Sequence, residues 1–129
     1  GLITPWNWPL NQVALKLGGA LLAGSTMILK PSEYALGTAI ELGRLLEDLS
    51  LPDGLITVLL GDGDTGRALC AAEIDCVSFT GSPRAGRAVA HAVAERLIPA
   101  ALELGWRRQR RKHTWATRLP KGPIPLALW

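Results

Sequence analysis

Cysteine is scarce in this 129-residue chain: Cys70 and Cys76 are the only two. Neither has metal-ligand spacing, and no His or Cys cluster surrounds them, which argues against a metal centre. Their apolar contexts suit small core residues of a reducing compartment, with a catalytic nucleophile as the alternative. No apolar run reaches the roughly 18 residues of a membrane span, so no membrane partner is expected. The chain opens on Gly1 rather than Met, and no basic leader precedes an apolar stretch. Those features suggest a cytoplasmic chain without a signal peptide, and a fragment or processed product whose start is incomplete. Acids are missing from the last part altogether. Residues 1–105 hold all 11 acids against seven Lys/Arg, a net −4, and residues 106–129 hold the other seven Lys/Arg, a net +7. The overall +3 therefore joins two compositions near Gly105.

What is present describes a globular protein. Hydrophobic residues make up 48% and charged residues 19%, enough for one domain with a buried core. Gly1–Thr4 is a short strand candidate, ended by Pro5, and Pro5–Pro9 is a stiff loop. Leu10 to Leu22 carries Val13, Ala14, Leu17, Ala20 and Leu21 at helical spacing, with Gly24 as the stop. Thr26–Leu29 reads as a buried strand closed by Lys30–Pro31–Ser32–Glu33. Ala39, Ile40, Leu42, Leu45, Leu46 and Leu49 form an amphipathic helix, and Leu51–Gly54 is turn chemistry. Leu55–Leu60 is a third strand, followed by the loop Gly61–Gly66 and a short helix around Arg67–Ala72. The strand Cys76–Thr80, a helix over Pro83–Arg96 and the strand Ala100–Leu104 complete the regular part. Strands alternate with helices and are apolar on both faces. This predicts an α/β fold, a Rossmann-like parallel sheet with helices on both faces.

Ligands of such sheets lie beyond the carboxyl ends of the strands, where four loops converge: Pro5–Pro9, Lys30–Glu33, Gly61–Gly66 and Gly81–Gly86. In the last of these a β-branched and aromatic run stops at Gly81, Ser82 can cap a helix, and Pro83 suits its first position. Such a turn presents backbone N–H groups and a positive dipole end to a phosphate, or is an ordinary βα turn. Gly61-x-Gly63-x-x-Gly66 matches a dinucleotide-binding string, yet Asp62 and Asp64 are poor neighbours for a pyrophosphate. Lys30 and Glu33 set a cation and a carboxylate at one strand end, fit for a ribose diol or for a solvated turn. Glu103, after an apolar strand, is expected to be partly buried with a raised pKa, as a general base or an ordinary strand-end glutamate.

Six ordered stretches carry a resemblance. Ile3–Thr4–Pro5–Trp6–Asn7–Trp8–Pro9–Leu10, Leu29–Lys30–Pro31–Ser32–Glu33, Leu51–Pro52–Asp53–Gly54, Gly61–Asp62–Gly63, Ser78–Phe79–Thr80–Gly81–Ser82 with Gly86, and Leu102–Glu103–Leu104–Gly105 together resemble the NAD(P)-dependent aldehyde dehydrogenase superfamily. The resemblance covers residues 1–105 as a partial NAD(P)-binding domain. It implies that Asn7 donates its side-chain amide to an oxyanion hole and that Glu103 activates water for deacylation. Ile3, Thr4, Pro5 and Trp6 would wall the nicotinamide and ribose side of the groove. Lys30, Ser32 and Glu33 would serve the adenosine ribose, the acid favouring NAD with NADP possible. Gly63 would lie near the adenine, Gly81, Ser82 and Gly86 would form the pyrophosphate turn, and Leu104 would sit close to the nicotinamide. The implied partners are an aldehyde substrate in the full-length parent and other copies in a homo-oligomer.

Two departures qualify this. Trp106 follows Gly105 where a second glycine is expected, and neither cysteine matches the family's nucleophile motif. The chain alone is therefore expected not to oxidise aldehydes. A truncated, non-catalytic fragment that binds nucleotide or pairs with intact subunits is one alternative. Residues 106–129 hold Arg107, Arg108, Arg110, Arg111 and Lys112 beside Trp106 and Trp115. They read as a disordered out-of-frame or alternatively spliced end, or else as a polyanion-binding segment.

Overall fold

The computed structural model describes residues 1–105. The basic segment 106–129, and every expectation placed on it, lies outside the described residues. Five strands and four α-helices alternate: β1 (Leu2–Ile3), α1 (Pro9–Leu22), β2 (Met27–Lys30), α2 (Leu36–Asp48), β3 (Ile56–Val58), α3 (Gly63–Ala71), β4 (Val77–Gly81), α4 (Pro83–Glu95) and β5 (Ala100–Leu104). All strand pairs are parallel, in the order β3-β2-β1-β4-β5. The chain therefore steps outward from β1 through β2 to β3, returns to the other side of β1, and continues through β4 to β5. The point of reversal lies between β1 and β4, where open α/β sheets place their ligands.

Side-chain alternation along the strands divides the core into two layers. Leu2, Met27 and Leu29 pack with Val13 and Leu17 of α1 on one face, flanked by Leu42 of α2. Ile3, Val77 and Phe79 pack with Leu69 and Cys70 of α3 and Val89 and Val93 of α4 on the other. Two residues suffice for β1 because it is held on both sides, Leu2 pairing with Leu29 and Ser78. The helix layers are tied laterally as well: Arg96, at the end of α4, donates to the carbonyls of Cys70 and Ala72.

Several boundaries differ from those the sequence suggests. The segment expected as a glycine loop before Arg67 is already helical from Gly63. Asp62 caps it, its carboxylate accepting from the backbone N–H of Asp64 (2.9 Å) and Thr65 (3.4 Å), which makes up for two glycines in the first turn. The third strand pairs only over Ile56–Val58, since Gly61 turns at φ 152° soon afterwards. Lys30 belongs to β2 rather than to a surface turn. The strand β5 is exposed along most of its length, unlike the doubly buried strands expected, because it is an edge. Cys70 is buried as expected, but Cys76 is exposed, standing just before β4.

Candidate functional site

The carboxyl ends of β1 and β4 open into a groove of about 890 Å³. The link from β1 to α1 supplies one wall with Ile3, Thr4, Pro5, Trp6 and Asn7. That link ends at Trp8, held in the left-handed region at φ 61° with no side-chain cap. Bulky residues rarely adopt this conformation, and here it lets α1 start at Pro9, two residues after Asn7. Ser32, Glu33 and Lys30 enter from the end of β2, and Gly63 from the start of α3. Gly81 and Ser82 close the far side where β4 becomes α4.

Lys30 is only 4% exposed. Its stem runs beneath the first turn of α3, where a Cβ at Gly66 would stand 4.0 Å from its Cδ, and its Nζ lies 3.6 Å from Glu33 Oε2. Ser32 Oγ accepts from the backbone N–H of Tyr34 (3.3 Å) and so shapes the 3-10 turn Glu33–Ala35 that carries Glu33. At the other turn, Ser82 Oγ accepts from the Ala85 amide (3.2 Å), capping α4, with Pro83 in its first turn.

The glycines of this turn stand in close approach to neighbouring side chains. A Cβ at Gly81 would stand 2.5 Å from Phe79 Cζ, and one at Gly86 would stand 2.3 Å from Leu104 Cδ2. Gly86 and Leu104 thus pack helix against strand behind the turn and do not line the groove. Thr4 is buried at 3% exposure, and its hydroxyl has no partner among the described residues. A buried unpaired hydroxyl in a groove wall invites a polar ligand atom. The narrow glycine turn, the capped helix start and the cation–carboxylate pair suit the phosphates and ribose of a dinucleotide.

Glu103 is not in this groove. It stands on β5 in register with Thr80 of β4, and its side chain is 65% exposed, so the partial burial expected of it is absent. Thr80 donates to Glu103 Oε2 at 2.7 Å. On the same face of the sheet stands a residue that sequence reasoning missed. Lys16 of α1 is buried, donates to Ser78 Oγ at 2.8 Å, and places Nζ 4.0 Å from Glu103 Oε2. Burial pushes its pKa below the ordinary lysine range, and the Glu103 carboxylate opposes that in part. The signal was present: Lys16 falls between Val13, Leu17 and Ala20 on the apolar stripe of its helix, where a lysine is out of place.

Neither thiol suits nucleophilic chemistry. Cys70 lines the groove, but burial pushes its thiol up, away from the thiolate. Cys76 stands before the first residue of β4, at the end of the strand away from the groove.

Among known proteins, the family model described as Aldehyde dehydrogenase family matches residues 1–108. A 3-succinoylsemialdehyde-pyridine dehydrogenase of a Pseudomonas species is 52% identical over 107 residues, covering 81% of this chain and 22% of that protein. Betaine aldehyde dehydrogenase of Hordeum vulgare is 43% identical over 107 residues, covering 81% and 21%. Of solved structures, an aldehyde dehydrogenase from Bartonella henselae superposes with TM-score 0.78 at 48% identity, over 81% of this chain and 22% of that one. Betaine aldehyde dehydrogenase from Staphylococcus aureus, solved in complex with NAD+, gives TM-score 0.77 at 39% identity, over 81% and 21%. The chain spans about a fifth of the length of the relatives it matches.

Proposed function

Because the chain belongs to the aldehyde dehydrogenase family, we propose that it is the cofactor-holding portion of an oxidoreductase that converts an aldehyde to a carboxylic acid with NAD(P)+. The observation that carries this reading is the convergence of four separate loops on the one groove at the point of strand reversal. Gly81 and Ser82 would take the pyrophosphate, with Gly86 holding the turn from behind. Lys30 and Glu33 would take the adenosine ribose, with Ser32 fixing the carboxylate and Gly63 flanking the adenine. An acid at Glu33 would repel a 2′-phosphate and so favours NAD; NADP is the alternative. Ile3, Thr4, Pro5 and Trp6 would wall the nicotinamide side, with Leu104 nearby.

The bound nicotinamide supplies a hydride acceptor; the rest of the chemistry assigned here belongs to side chains. The Asn7 amide would donate to the aldehyde oxygen as negative charge gathers on it, an interaction worth about 3–4 kcal/mol in comparable sites. Glu103 would take a proton from the water that releases the acid, its Oε2 held meanwhile by Thr80. The burial of Cys70 and the placement of Cys76 support a further part of the reading: the thiolate belongs to the family length that this chain does not span. By itself the chain then binds dinucleotide without turning over aldehyde. The free thiols Cys70 and Cys76 support a cytoplasmic setting. Exposed Leu22 (93%) and Leu97 (92%) support packing against further protein, in a homo-oligomer or in the parent enzyme.

Calorimetric titration of the full chain with NAD+ tests the reading, alongside Glu33→Ala and Ser82→Pro. Saturable binding weakened about tenfold or more by each change is the expected result. Absence of binding by a chain with a folded spectrum would overturn it.

A further inference from the structure

Ser78 plays no part in the groove, yet its hydroxyl is spent on a buried ammonium. It faces α1 because β4 alternates, with Val77 and Phe79 in the opposite core layer and Ser78 and Thr80 on this one. The two hydroxyls stand two residues apart and serve two ends of one charge pair. Ser78 Oγ accepts from Lys16 Nζ at 2.8 Å, Thr80 Oγ1 donates to Glu103 Oε2 at 2.7 Å, and Nζ lies 4.0 Å from that same oxygen. At 4.0 Å the ammonium makes no hydrogen bond to the carboxylate, so something else holds it there. A lysine stem has four rotatable bonds and would otherwise turn its head toward water.

We infer that Ser78 is a positioning residue: it anchors the Lys16 ammonium beside Glu103, so that one carboxylate oxygen is held by Thr80 and faces Lys16 while the other has no partner among the described residues. This rests on the reading of Glu103 as the base that activates water. Among the described residues, other charges do not compete for the site. α1 contains no further charged residue, and the lysine of β2, Lys30, lies under α3 on the other side of the sheet. Among the described residues, the carboxylate facing Lys16 is that of Glu103.

The anchoring can be read without cofactor or aldehyde, by following the Lys16 side-chain NMR signals of the full chain through an alkaline titration. Removing an acceptor from the ammonium favours the neutral amine. Ser78→Ala is expected to move the Lys16 midpoint to lower pH, raising the neutral fraction at fixed pH about tenfold. Ser78→Thr, which keeps the hydroxyl, is expected to restore it. A packing role alone would not be rescued in this way. If Ser78→Ala does not fold, Ser78→Cys is of nearly the same size with a weaker acceptor, and its midpoint moves the same way. A Lys16 midpoint equal to wild type in a folded Ala or Cys variant would overturn the inference. Failure of the NAD+ titration would leave this measurement intact, so the two ideas fall separately.

Discussion

Lys16 carries the sharpest energetic conflict at the scale of single residues. Its side chain is 5% exposed, and one hydroxyl and one carboxylate at 4.0 Å offset the loss of hydration only in part. The native pKa therefore lies below 10.5, the value of an unperturbed lysine. Between the two values the unfolded chain binds more protons than the native one, so stability rises with pH across that window and the full penalty stands below it. Lys16→Met, similar in volume and uncharged, should equal or exceed the wild type in thermal midpoint at pH 7. Its advantage should shrink as pH approaches 10.5. Paired melts across that range check this, and an advantage that grows with pH would contradict it. Motif reasoning picked out the neighbours of this site, Ser78, Thr80 and Glu103, and passed over Lys16 because the signal was a misplaced charge within a helix.

At the scale of elements, α3 shows how a cap decides what composition leaves open. Gly63 and Gly66 in the first turn disfavour a helix, and the sequence there reads as a loop. Asp62 reverses this by satisfying two otherwise open backbone donors, and Asp64 adds a favourable charge near the positive end. Asp62→Ala should cost about 1 kcal/mol and should raise hydrogen exchange first at the amides of Gly63–Ala71, while Asp62→Ser should restore most of the loss. Loss of protection spread evenly over the sheet would argue that the cap is not local. A similar lesson holds for Gly86. Its place in the ordered motifs suggests a phosphate turn, whereas its geometry makes it the point where α4 meets Leu104 and Phe79.

The whole molecule depends on β1, the shortest strand and the central one. Both core layers meet there, Leu2 facing one and Ile3 the other. Leu29, fully buried in the adjoining strand at 0% exposure, supports that junction. Leu29→Ala should lose about 2–5 kcal/mol, a large share of the 5–15 kcal/mol typical of a domain. Because the layers share β1, urea transitions followed by circular dichroism and by hydrogen exchange in either layer should shift together. Separate shifts would mean that the layers fold independently. Leu10, Leu15, Leu22, Leu45 and Leu97 stand exposed on the outside, an amount of apolar surface that fits a chain spanning about a fifth of its relatives' length.

The sequence by itself determined the alternation of strand and helix, the carboxyl-end loops and the family. Each rests on short-range information: period, turn chemistry and motif spacing within a few residues. The strand order β3-β2-β1-β4-β5, the point of reversal that opens the groove, and the meeting of Lys16, Ser78, Thr80 and Glu103 were decided by tertiary structure alone. Those four residues are separated by up to 87 positions and come together only when α1 packs on the sheet and the Lys16 side chain reaches from it to β4 and β5. No local period encodes which strand becomes a neighbour or whether a polar side chain finds a partner. The partner that Lys16 finds in Ser78, and the exposure of Glu103, which is the reverse of what its neighbourhood in sequence suggests, follow from that difference.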